Sequence, residues 1–119
     1  MHQAPKVLTI LFSLFLYGHS YAQNDLKLNF KKSTVYAGIE VGSKGVKLSV
    51  VEVNDKSKKG QAYKIVKDTA INSDFISFSL PSFNATLNAL TTLYSKALNQ
   101  YDISSDKIFT AISSGVKGQ

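Results

Sequence analysis

Gly42-Ser43-Lys44-Gly45 puts two glycines, a hydroxyl and an ammonium group into four consecutive residues. Three of these positions carry little side-chain bulk. Their backbone N–H groups can therefore approach an anion closely, and Lys44 adds positive charge. That is chemistry suited to phosphate. The competing reading is a tight hairpin, for which glycines suffice. Glu40 lies two residues upstream, at the end of an apolar run. A carboxylate there can hold a hard cation through water or orient an attacking water. It can equally be a strand-end acid paired with Lys44 or Lys47. Ser113-Ser114-Gly115 closes a second apolar run. It reads either as another wall of an anion site or as a simple turn. Ligands gather at the carboxyl ends of strands in open α/β sheets, which favours the wall.

Other chemistries are excluded by what the chain lacks. Lys6, the apolar run from Val7 to Tyr17 and the small-residue exit Ser20-Tyr21-Ala22 have the layout of a secretory signal peptide over residues 1–22. The run is shorter than the ~20 apolar residues of a membrane span. An exported chain beginning at Gln23 is expected, periplasmic or extracellular, with no membrane partner after cleavage. Both histidines, His2 and His19, leave with the signal, and the chain has no Cys and no Trp. A Ser–His or Cys–His nucleophile, a His or Cys metal site and a disulfide are thereby ruled out of the exported chain. Carboxylates, hydroxyls, lysines, backbone amides and an oxygen-bound hard cation remain.

The net charge is +6, carried by lysine without any arginine. Lysine does not make the bidentate base contacts of arginine, and the aromatics are not interleaved with the lysines. Nucleic acid is therefore not the expected partner. A basic surface of this size suits small anions or polyanions, or serves solubility.

The elements that would position these groups follow from periodicity. Residues 23–34 form a polar lead-in. Val35 to Val41 is a nearly continuous apolar run, as in a strand covered on both faces. Val46, Leu48 and Val50 alternate with Lys47 and Ser49, and Val51 and Val53 then shift that phase. The residues around Asn54 to Gly60 form a turn by composition, and Gln61 to Ile71 reads as a third strand, completing an antiparallel meander. Pro81-Ser82 opens a helix with Ser82 as N-cap and an apolar face of Phe83, Leu87, Leu90, Tyr94, Ala97 or Leu98, and Tyr101. Lys107 to Ser113 is a fourth strand, expected to lie parallel to one already in the sheet. The fold class is α/β, with the order β-β-β-α-β in a mixed sheet.

Two segments then carry a resemblance. Glu40-Val41-Gly42-Ser43-Lys44-Gly45-Val46-Lys47 is followed, after strand, strand and helix, by Ile112-Ser113-Ser114-Gly115-Val116-Lys117-Gly118-Gln119. Together they resemble the superfamily of actin, heat-shock chaperones and sugar kinases, built on ribonuclease-H-like half-domains. The branch of exopolyphosphatases and guanosine pentaphosphatases is the most similar. That branch opens with Asp-apolar-Gly-Ser-Asn-Ser and an apolar strand beginning with Arg or His. After the helix it carries Ala-Thr-Ser-Ala-x-Arg-x-Ala. The resemblance spans Val35 to Gln119 and implies the N-terminal part of such a domain. It further implies a phosphoanhydride hydrolase binding a polyphosphate-like anion through Gly42, Ser43, Lys44, Gly45, Ser113, Ser114 and Gly115, with Mg²⁺ held through water by Glu40. The main catalytic acid and a cleft-closing half are expected beyond Gln119. Glu40 replaces the family's Asp, and Lys47 and Lys117 replace arginine, losing its fork. These departures support the rival reading, a non-catalytic binding or scaffold protein on the same fold.

Overall fold

The computed structural model describes residues 26–56, 62–74 and 79–113. The signal-like segment, the lysine-rich hairpin tip with Lys58 and Lys59, and Ser114 and Gly115 lie outside these residues. Four strands and one helix make up the fold: β1 (Ser33–Gly42), β2 (Gly45–Asn54), β3 (Tyr63–Asn72), α1 (Leu80–Ser95) and β4 (Ile108–Ile112). The sheet order is β3-β2-β1-β4. β1 pairs antiparallel with β2 and parallel with β4, and β2 pairs antiparallel with β3. This is the α/β architecture with a three-stranded meander and a parallel fourth strand expected from the sequence.

One face of the sheet forms the core. Ala37, Ile39 and Val41 of β1 and Val46, Leu48 and Val50 of β2 point to α1, where Ala89 and Leu93 meet them together with Ala97, Tyr101 and Ile103. Each large apolar side chain buried this way contributes on the order of 1.5–3 kcal/mol. The other face carries Gly38 and Glu40, both exposed, and Tyr36, half-buried. β1 is thus covered on one face among the described residues, not on both. Its apolar run misleads because Tyr36 and Gly38 add no charge to interrupt it.

β2 keeps its phase throughout. Val46, Leu48, Val50 and Glu52 all point to the core side and all are buried. The irregularity belongs to β3: Val50 pairs with Lys67 and Val51 with Ile65, so Val66 is the extra residue of a bulge. Val66 thereby packs against the core, while Tyr63 and Ile65 are turned out to solvent.

The helix differs from expectation in its cap and in its face. Ser79, not Ser82, is the N-cap, and its hydroxyl accepts from the Ser82 N–H at 3.3 Å. Pro81 has no N–H to be capped and fits the first turn, which moves the cap ahead of it. The buried face runs through Thr86, Ala89 and Leu93. Phe83 and Leu87 stand about half exposed. A buried hydroxyl pair, Ser73 to Thr86 at 3.2 Å, holds the helix in this rotation. The small side chains of Thr86, Ala89 and Ala97 let its backbone lie close to the sheet. Leu90 and Tyr94 flank the contact half-buried. The helix continues into a π-turn, Lys96–Gln100. The chain then reverses at Asp102, which takes a left-handed backbone (φ 53°), and the Ile103 N–H donates to the Ala97 carbonyl at 3.0 Å. Asp tolerates that conformation better than most residues.

The lead-in is anchored. Ser33 and Thr34 already belong to β1, and Glu52 clamps the preceding residues. Its carboxylate accepts from the backbone N–H groups of Asn29 and Phe30 at 2.8–2.9 Å and from the Asn29 side-chain amide at 3.0 Å. Burial alone would push this carboxyl up. The Asn29 amide, the Asn29 and Phe30 N–H groups and the Ser33 hydroxyl outweigh that and hold it down at about 2. The folded pKa lies below the unfolded value of 4.5. The stabilisation is therefore complete above about pH 4.5 and is lost as the pH falls toward 2. Urea midpoints of the wild type and Glu52→Gln should differ most at pH 7. That gap should close as the pH drops from 4.5 to 2. A gap independent of pH would show that the carboxylate charge does not hold the clamp.

Candidate anion site at the strand ends

The parallel pairing of β1 and β4 brings their carboxyl ends side by side. The Ser113 N–H donates to the Val41 carbonyl at 2.9 Å. The Ser113 hydroxyl lies 3.9 Å from the position a Cβ on Gly42 would take. The Gly42–Gly45 turn and Ser113 therefore share one end of the sheet.

The two glycines of the turn have different reasons to be glycine. Two-residue hairpin loops usually need positive φ in the loop itself. Ser43 and Lys44 do not adopt it; Gly45 does, at 155°. A Cβ on Gly45 would sit 2.3 Å from the Ile71 carbonyl oxygen and 3.0 Å from the Asn72 Cα. The passage of β3 alone accounts for Gly45. Gly42 is different. A Cβ there would meet the Gly45 carbonyl oxygen at 3.6 Å, an ordinary contact. Neither neighbouring backbone nor a positive φ demands a glycine at 42.

Glu40 projects from the open face, opposite Lys47 in β2 and Ala111 in β4. Lys47 is engaged elsewhere, in an ion pair with Asp68 at 3.2 Å, and Asp68 also accepts from the Ser49 hydroxyl at 3.0 Å. With both partners about half exposed, that ion pair is worth at most about 1 kcal/mol. It turns Lys47 toward β3 in this structure. Glu40 has no hydrogen bond or ion pair among the described residues. The pairing with Lys44 or Lys47 considered from sequence is not formed. Lys44 is exposed, and its carbonyl accepts from the Ser73 N–H at 3.0 Å.

Beside Glu40 the open face forms a groove of about 350 Å³. Gly38, Glu40, Ser49, Phe109, Ala111 and Ser113 are among the residues that line it. The Phe109 and Tyr36 rings lie 6.2 Å apart, centroid to centroid. Gly38, Ser49 and Phe109 were not singled out by sequence reasoning. Their shared parity with Glu40 along paired strands was the available signal, masked by reading β1 as covered on both faces.

Among the described residues no three Asp, Glu, His or Cys side chains converge on a common point. A single carboxylate is still compatible with Mg²⁺, which keeps several waters and commonly takes one or two carboxylates together with phosphate oxygens. Glu40 is the carboxylate among the residues that line the groove. Among the described residues no helix is long and apolar enough to cross a membrane. No protein-family model matches this chain, and no curated protein matches it.

Proposed function

We propose that this chain is the N-terminal portion of an exported, exopolyphosphatase-like phosphoanhydride hydrolase, binding phosphate at the joined ends of β1 and β4. The observation that carries the reading is Gly42. Its lack of a side chain is not required by the sheet, yet it leaves the turn's backbone open beside the Ser113 hydroxyl. An anion approaching there would meet backbone N–H groups, a hydroxyl and, from Lys44, a positive charge. Glu40, free and solvated, would orient water toward a bound phosphate or hold Mg²⁺ through water. Mg²⁺, when bound, would neutralise charge on the phosphate oxygens. The main catalytic acid and the half that closes the cleft are expected on chain beyond Gln119.

A non-catalytic phosphate-binding or scaffold role is the second reading. The observation favouring it is Lys47. It stands where the resembling family carries a basic residue, and here Asp68 holds it.

Titration calorimetry with polyphosphate tests the site. Gly42→Val should weaken binding by about tenfold or more, the loss of one charge-assisted hydrogen bond. Lys56→Ala, on the exposed turn after β2, should change it little. Equal losses from both would mean diffuse electrostatic attraction and would remove the site. Phosphate release from polyphosphate with Mg²⁺, by a chain that includes the downstream half, separates the hydrolase from the binder.

A further inference from the structure

Glu40 and Lys47 stand directly opposite each other across β1 and β2, a placement in which unlike charges favour pairing. They do not pair here. Lys47 reaches to Asp68 at 3.2 Å, although its own register partner in β3 is Ala70 and that of Asp68 is Ser49. The contact is thus diagonal, which a long side chain can span. Ser49 supports it. Its hydroxyl donates to Oδ1 of Asp68 at 3.0 Å, and Oδ2 takes the Lys47 ammonium. Lys47 also belongs to the surroundings of the turn, since it and Lys44 line one hollow of about 180 Å³.

We propose that Asp68 is a built-in competitor for the anion at the strand ends. It occupies Lys47, and an anion bound beside Lys44 must draw Lys47 away from it. This rests on the anion site proposed above and adds a regulation of that site. A carboxylate is a chemical rival of phosphate, because both are oxyanions that take charge-assisted hydrogen bonds from an ammonium group. The hold of Asp68 is weak. Both partners are about half exposed, so water screens the ion pair. An anion with two or more charges attracts Lys47 more strongly than one carboxylate does. Lysine suits the exchange. Its ammonium is a point charge on a flexible stem, which turns from one oxygen to another without the fixed fork of a guanidinium. The same contact leaves Glu40 without its opposite cation, so the carboxylate beside the groove stays free while the site is empty.

Titration calorimetry of the full chain with inorganic pyrophosphate tests the competition. Asp68→Asn should tighten binding about two- to fivefold, as expected when a half-exposed ion pair no longer competes. Its far-ultraviolet circular dichroism spectrum should not change. Removing a negative charge near an anion site strengthens binding by itself, and a second background separates that effect. In Lys47→Met the same Asp68→Asn change releases no cation, so the gain should be clearly smaller there. An equal gain in both backgrounds would mean plain charge repulsion and would overturn the proposal. Unchanged binding in Asp68→Asn, with Gly42→Val still weakening it, would also overturn the proposal while leaving the site in place. Pyrophosphate binding by neither the wild type nor Asp68→Asn would overturn the proposal and the site together.

Discussion

Leu93→Ala is expected to lower stability by about 2–5 kcal/mol, the largest effect of any single side-chain truncation on the helix. Leu93 is 1% exposed and lies between Ala89 and Ala97 on the face that meets Ile39 and Leu48. Small neighbours cannot move in to fill the space it would leave. The loss of transfer free energy is then joined by a cavity that stays open. Leu87→Ala and Phe83→Ala are the comparison. Both side chains are about half exposed, and their truncation should cost less than about 1 kcal/mol. Urea unfolding of the three variants measures the order. Leu87→Ala matching Leu93→Ala would place the helix in a different rotation.

Gly45→Ala is expected to cost about 2–4 kcal/mol, where backbone strain and overpacking add. The new Cβ would meet the Ile71 carbonyl oxygen at 2.3 Å. That oxygen belongs to the backbone of β3 and cannot swing away as a flexible side chain can. Relief would require β3 to part from β2 near Asn72, beside Ser73, which reaches both the Lys44 carbonyl and Thr86. Gly42→Ala should cost less than about 1 kcal/mol, since its Cβ makes only ordinary contacts. Thermal unfolding distinguishes the pair. Similar losses at both positions would mean that Gly42 too is fixed by the fold, and the open approach to the turn would lose its meaning.

The sheet was legible in the sequence because strand order follows from few rules. Short turns join β1, β2 and β3 as a meander, and a helix before β4 makes a parallel return the natural pairing. The turn and Ser113 were legible for the same reason, since both sit at carboxyl ends. The helix rotation was not. Phe83 and Leu87 are more apolar than Thr86 and Ala89, and periodicity follows hydropathy rather than closeness of approach. The rotation found buries Ala89 and Leu93 together with the Ser73–Thr86 hydrogen bond, whose residues hydropathy counts as polar. Glu52 was hidden in the same way. A carboxylate on the core side of a strand reads as a break in pattern, unless the N–H groups of Asn29 and Phe30 are known to reach it. The Asp68 contact that turns Lys47 from Glu40 crosses two strands, and spacing along one strand does not reveal it.

The Glu52 clamp also gives the molecule a polarity. It fastens Asn29 and Phe30 beside the amino end of β1, whereas Gly42 and Ser113 sit at the carboxyl end, about 30 Å away along a ten-residue strand. Leu26 to Phe30 therefore lie at the pole opposite the strand-end site. A spectroscopic label placed at Asn29 or Phe30 would report on loss of the clamp without touching the groove, and one at Ser43 would report on the turn without touching the clamp.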